Sequence, residues 1–213
     1  DGRPSMRRRG SHTRVPLDTM PLASEALLSV ADAERVWDGG FEPGSQIRLS
    51  VPEPRGGASI GDNYAVLVDG ELRAGSRRLI ECAAIAGAAF EYEVDANGFW
   101  QVHRQAPIEL AGHVIDLARR ELDGAASACI WDLYSGSGLF TLPLATLAAP
   151  RTRMLSVEGG RTAVKNAQRN LRDRNLTDVD ARCGDVAKTL AHVSAHLAHP
   201  DLVVLDPPRA GAR

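Results

Sequence analysis

Trp131-Asp132-Leu133-Tyr134-Ser135-Gly136-Ser137-Gly138-Leu139-Phe140 is the stretch that decides the fold. An apolar run over 128–133 ends in an acid and a pair of glycines, and a helix-like pattern follows over 139–148. Strand, glycine turn and helix in that order let a ligand approach bare backbone, because glycine has no Cβ to obstruct it. Gly-x-Gly alone is a weak signal. Its meaning comes from the chain around it.

From about residue 97 onward the pattern alternates regularly. A helix is predicted over 107–122 from the apolar spacing of Ile108, Ala111, Val114, Ile115, Ala118 and Leu122. Then come strand 128–133, helix 139–148, strand 153–157, helix 161–174 closed by Asn175, strand 179–182, helix 186–198 and strand 202–205. Such alternation implies right-handed crossovers and a parallel sheet with helices on both faces. Leu202-Val-Val-Leu205 lacks polar alternation, which predicts a strand buried on both faces. The fold class expected for 97–213 is α/β, a doubly wound Rossmann-like sheet.

Residues 1–96 read differently. Short strand-like pieces (47–51, 64–68, 90–94) alternate with Pro/Gly-rich turns such as Val51-Pro-Glu-Pro-Arg-Gly-Gly57, and one helical stretch covers 22–36. A small, mostly antiparallel α+β domain is expected there, giving two domains, 1–96 and 97–213.

Composition narrows the class. A chain of 213 residues can bury a real core. No apolar run approaches the roughly 20 residues of a membrane span, and no secretory signal opens the sequence. A net charge of −2 supplies no global attraction for nucleic acid. The charge is uneven, however: Arg3, Arg7, Arg8, Arg9 and Arg14 crowd one end, and Arg169, Arg172 and Arg174 share a predicted helix. Such clusters are solvated faces or phosphate-binding patches. Cys82, Cys129 and Cys183 have neither disulfide nor metal-ligand spacing, so free buried thiols in a reducing, cytoplasmic setting and no metal are expected.

In doubly wound folds the ligand sits at the carboxyl ends of the strands. The first predicted strand ends at Asp132 and the glycine turn, the second at Glu158, the third at Gly184-Asp185 and the fourth at Asp206-Pro207-Pro208-Arg209. Glu158 stands about 20 residues after the glycines, where a carboxylate accepts from both hydroxyls of a ribose. Asp185 is placed to accept from the amino group of an adenine. A dinucleotide fingerprint needs a third glycine where Thr141 stands. S-adenosylmethionine has no phosphate and needs only the close approach and the nucleoside contacts. Two prolines after Asp206 stiffen a loop that presents an acid and carbonyls to a flat substrate, as a base methyltransferase requires.

Together, Phe99-Trp100-Gln101-Val102-His103, Asp132-Leu-Tyr-Ser-Gly-Ser-Gly-Leu-Phe-Thr-Leu-Pro-Leu144, Val157-Glu158, Gly184-Asp185 and Asp206-Pro-Pro-Arg-Ala-Gly211 resemble the RNA 5-methyluridine methyltransferases. The resemblance covers about 97–213 and is looser before that. It implies S-adenosylmethionine as cofactor and C5 of a uridine in tRNA or rRNA as target. It further implies that Gln101, Tyr134, Glu158, Asp185 and Asp206 contact the cofactor, that Gly136 and Gly138 form its turn, and that Arg209 lies on the substrate side. Leu139 and His103 stand where members often carry Asn. Met20-Pro21-Leu22 stands where some members place the last cysteine of an iron–sulfur cluster, so no cluster is expected.

One departure concerns catalysis. A thiolate must add at C6 of uracil before C5 is nucleophilic enough to take a methyl group, and a base then removes the C5 proton. In the family that cysteine and a general-base glutamate follow the fourth strand. The expectation is therefore a nucleophile beyond Arg213, none within the chain, a sheet incomplete at its C-terminal side, and a domain truncated at its start. Two other readings stay open. An N-methyltransferase would need no cysteine, although Arg209 stands where such enzymes usually place a stacking aromatic. A non-catalytic RNA-binding relative would keep the fold without the activity.

Overall fold

The computed structural model describes residues 2–54, 58–209 and 211. The Val51–Gly57 turn and the end of the Asp-Pro-Pro-Arg-Ala-Gly motif therefore lie partly outside the described residues. Two compact units divide between Leu79 and Ile80, whereas the sequence pattern changes near residue 96.

The first unit opens with an antiparallel hairpin, β1 (Ser5–Arg7) and β2 (Arg14–Pro16). Helix α1 (Glu25–Ala33) follows, its first turn capped by the Ser24 hydroxyl, which accepts from the Leu27 N–H. A 3₁₀ turn, Val36–Asp38, comes next. Strands β3 (Ile47–Ser50), β4 (Ala65–Val68) and β5 (Glu71–Gly75) form an antiparallel sheet in the order 3-4-5. Val30, Ala31, Val36 and Val66 make its core, with Trp37, Phe41 and Tyr64 against them. The sequence pattern shows neither the three-residue strands, which are too short to display a period, nor β5, whose Glu71-Leu-Arg-Ala-Gly75 holds a single large apolar residue.

The second unit opens within the hairpin of β6 (Arg78–Ile85), whose first two residues precede the division, and β7 (Ala88–Asp95). Phe90, Tyr92 and Val94 alternate into the interior, where β7 meets helix α4 (Arg161–Asp173), so this hairpin belongs with the α/β part of the chain. The other elements are α2 (Ala106–Glu121), β8 (Ala128–Leu133), α3 (Thr141–Leu147), β9 (Thr152–Glu158), β10 (Val179–Cys183), α5 (Val186–Leu190) and β11 (Leu202–Leu205). The four last-named strands form one parallel sheet in the order 10-9-8-11. The chain steps outward from β8 to β10 on one side and then returns to place β11 on the other. This reversal makes the junction of β8 and β11 the switch point of a doubly wound α/β fold, where such folds hold ligands.

Two expectations are corrected. Helix 186–198 is not continuous: α5 stops at Leu190, and a 3₁₀ turn (Ala195–Leu197) follows, entered through extended Ser194. The carbonyl of buried Leu197 accepts the indole N–H of Trp131 at 2.8 Å, a bond that ties it to β8 rather than to a next helical turn. Strand β11 is not buried on both faces. Val203 is 42% and Leu205 55% exposed while the alternate residues Leu202 and Val204 are half-buried, so one face of β11 is left uncovered among the described residues, where the strand pairs only with β8. No described helix is long and apolar enough to cross a membrane.

Candidate functional site

The loop after β8 is built on residues with positive φ. Tyr134 lies at 65°, Gly136 at 56° and Gly138 at 91°. Gly138 is crowded: a Cβ there would stand 3.1 Å from Leu142 Cδ1 and 3.4 Å from Ala167 Cβ, so those neighbours would have to yield. At Gly136 a Cβ would meet nothing within 4 Å, so this glycine keeps the outer face of the loop low rather than making room for the core.

Three strand ends converge on this loop. The N–H groups of Tyr134 and Ser135 both donate to the Val157 carbonyl, at 2.8 and 3.1 Å. The Glu158 carboxylate accepts from the Gly136 N–H through Oε2 at 3.1 Å and from the Gly160 N–H through Oε1 at 2.6 Å. An ionised carboxylate offers about four lone-pair positions, so Glu158 keeps acceptor capacity for a ligand while holding the turn. The Glu158 carbonyl takes the Gly184 N–H at 3.0 Å, bringing the end of β10 alongside. Asp206 N–H donates to the Leu133 carbonyl at 3.3 Å, which brings the Asp-Pro-Pro loop to the other side.

Beneath the glycines lies a buried polar relay that sequence reasoning missed. Asp132 is fully buried; its Oδ2 accepts from Thr141 Oγ1 at 2.5 Å, while Oδ1 has no hydrogen-bond partner among the described residues. Thr141 Oγ1 is 3.4 Å from Ser156 Oγ, which donates to Ser135 Oγ at 2.7 Å. Burial pushes the Asp132 carboxyl up to about 7; the Thr141 hydroxyl opposes that rise, and the Asp206 and Glu158 carboxylates add to it. On the outer flank Asn166 Nδ2 donates to Ser137 Oγ, and Asn170 Nδ2 to the Ser137 carbonyl, both at 3.4 Å. Asn170 also exchanges bonds with the Glu93 backbone, and the hydroxyl of buried Tyr92 donates to the Leu139 carbonyl at 3.1 Å. Hairpin β6–β7 therefore braces the loop. The only hint in the sequence was Asn166 and Asn170 four apart on α4, beside the apolar positions Val164, Ala167 and Leu171.

Tyr134, Gly136, Gly138, Glu158 and Asp206 thus meet at one place. Asp185 caps α5, its Oδ1 accepting from the Lys188 N–H at 2.9 Å, and is exposed next to Gly184. Gln101 is half-buried and takes no part in these hydrogen bonds; it follows Trp100, whose ring stands 5.1 Å from that of Tyr92. Arg209 is exposed in the turn after the prolines. Of the thiols read as buried, only Cys129 is; Cys82 is half-buried and Cys183 exposed.

No family model matches the chain. Over 217 residues it is 71% identical to an uncharacterized RNA methyltransferase of Bifidobacterium longum, an alignment covering all of this chain and 50% of that protein. A 23S rRNA (uracil(1939)-C(5))-methyltransferase of Edwardsiella ictaluri is 31% identical over 135 residues, 60% of this chain and 29% of its own. A solved T. thermophilus 16S rRNA N2 methyltransferase in complex with AdoMet and guanosine superposes on 77% of this chain and 40% of its own, with a TM-score of 0.49 and 24% identity. The chain spans about half the length of the curated relatives that it matches throughout. Over its whole length the chain is thus similar to relatives named as RNA methyltransferases, at 71% and 33% identity.

Proposed function

We propose that this chain is the S-adenosylmethionine-binding part of an enzyme that methylates C5 of a uridine in tRNA or rRNA. The carrying observation is the turn Tyr134–Gly138, clamped by Glu158 at the β8/β11 switch point with the Cβ direction of Gly136 open. In this reading Gly136 and Gly138 admit the cofactor to the backbone, and Glu158 takes the ribose hydroxyls. Asp185 takes the adenine amino group. Tyr134, Gln101 and Asp206 complete the cofactor contacts, and Arg209 faces the RNA. The cofactor, when bound, supplies a methyl group on a sulfonium sulfur. The uridine target is supported by the motif set and by the uracil-C5 enzyme among the relatives.

None of the three cysteines suits the addition at C6. Cys129 is buried in β8, with burial raising its thiol pKa. Cys82 lies in β6. Cys183 ends β10 with Sγ 3.6 Å from the Gly159 carbonyl, on the adenine side of the site in this reading.

Calorimetric titration with S-adenosylhomocysteine tests the cofactor. Glu158→Ala is expected to lose about 1.5–3 kcal/mol, since charge-assisted hydrogen bonds are removed. Equal affinities overturn the ribose role of Glu158, and no binding to the unaltered chain overturns the cofactor. Transfer of labelled methyl by the B. longum relative tests the target: label in 5-methyluridine is expected, and label in a methylated exocyclic amine overturns it.

A further inference from the structure

Residues 2–17 contain five arginines and His12 but no carboxylate. The structure orders four of these arginines on the β1–β2 hairpin. Arg7 is the direct register partner of Arg14, and Arg8 and Arg9 lead the connecting turn. That turn is closed by Arg8 N–H to the Thr13 carbonyl at 2.9 Å and by Ser11 N–H to the Arg8 carbonyl at 3.1 Å. The Ser11 hydroxyl adds a bond to Thr13 Oγ1 at 3.0 Å. Directly opposed residues of an antiparallel pair have Cβ atoms about 5 Å apart, and like charges there repel.

Among the described residues nothing relieves that repulsion. Arg7, Arg8, Arg9 and Arg14 are exposed and, among the described residues, make no ion pair or side-chain hydrogen bond. Four arginines elsewhere are engaged: Arg169 with Glu93, Arg182 with Asp180, Arg77 with Glu71, and Arg174 over the Phe90 ring and on the Ala89 carbonyl. Two of the three arginines at the end of α4, Arg169 and Arg174, are thus absorbed by packing, whereas none of the four on the hairpin is. Guanidinium forks held side by side match the oxygens of a phosphate better than any single charge does.

We infer that the β1–β2 hairpin docks on the RNA backbone, with Arg7 and Arg14 sharing one phosphate and Arg8 and Arg9 reaching its neighbours. The inference takes the identity of the polyanion from the proposed function; the site itself rests on the hairpin. Contacts of this kind position the nucleic acid without reading its sequence.

The test uses the 213-residue chain and a short stem-loop RNA titrated at several salt concentrations. Replacing Arg7, Arg8, Arg9 and Arg14 with Gln is expected to weaken binding at least tenfold at low salt. It is also expected to reduce the slope of log affinity against log salt by about 2–3, at roughly 0.7 per phosphate on single strands. The four Arg→Lys replacements, which keep the charge, are expected to retain most of the slope. Unchanged affinity and slope in the Gln variant overturn the inference, as does an equal loss in the Lys variant. Binding of phosphatidylserine vesicles with the same arginine dependence, and of RNA without it, assigns the hairpin to membranes instead. S-adenosylhomocysteine affinity is read in parallel: if it is absent while the RNA slope still depends on the arginines, the methyltransferase reading fails and the docking inference stands.

Discussion

At the residue scale, the two glycines of the turn do different work, and substitution separates them. Gly138→Ala places a methyl against Leu142 and Ala167 at positive φ, and about 1–3 kcal/mol of stability is expected to be lost in urea denaturation. Gly136→Ala meets open space, so about 1 kcal/mol of stability loss from the left-handed backbone is expected, with a larger loss of S-adenosylhomocysteine affinity. Asp132 gives a pH signature. Its folded-state pKa is raised to about 7, so between roughly pH 4 and 7 the folded protein keeps a proton that the unfolded chain has released. Stability is therefore expected to fall as pH rises through that window, by up to about 1.4 kcal/mol per pH unit. Glu81, raised by burial to about 7, slopes the same way. Urea midpoints of the wild type and Asp132→Asn at pH 5 and pH 8 isolate the Asp132 part, and an equal pH slope in both would refute it. The acids at strand ends were legible in the sequence because their spacing follows the fold's period. Ser156, Thr141 and Asn170 were not, since a polar residue turned inward has the same letter as one turned outward.

At the element scale, β8 and β11 were legible to their end residues because each is a short apolar run bounded by polar or turn residues. Helix α5 was over-extended, because helical spacing of apolar residues cannot foresee that the Leu197 carbonyl is claimed by Trp131. The exposed pair on β11 sets a further expectation. A terminal strand that pairs on one side alone among the described residues, with Val203 and Leu205 uncovered on one face, is an invitation to pair with another chain. The chain is expected to self-associate as concentration rises, and Val203→Lys with Leu205→Lys to shift sedimentation profiles toward the monomer. Profiles that do not change with concentration would show that this edge is protected. The α4–β7 contact makes a smaller claim: Arg174→Ala, losing its place over Phe90 and its bond to the Ala89 carbonyl, is expected to destabilise by about 1 kcal/mol.

At the scale of the whole molecule, the doubly wound half could be read from alternation alone. The hairpin β6–β7 could not be assigned to it, because its membership is decided by packing on α4 and not by pattern. The activity expectation follows from the placement of the thiols: the 213-residue chain incubated with labelled S-adenosylmethionine and unmodified tRNA or rRNA is expected to yield no 5-methyluridine. Product that disappears in Cys183→Ala but persists in Cys82→Ala and Cys129→Ala would place Cys183 at the target base. The strand order 10-9-8-11 carries one more consequence, in time rather than in space. Strand β8 meets β9 soon after both are made, but its other side waits for β11, and the Cys129 N–H closes on Asp201 Oδ2 across 72 residues. At a synthesis rate of roughly 5–20 residues per second, the nascent chain carries the open flank of β8 for about 4–14 s. In order of synthesis β11 is thus the last of the four described strands available to dock, and until then the emerging polypeptide depends on the shielding of that flank.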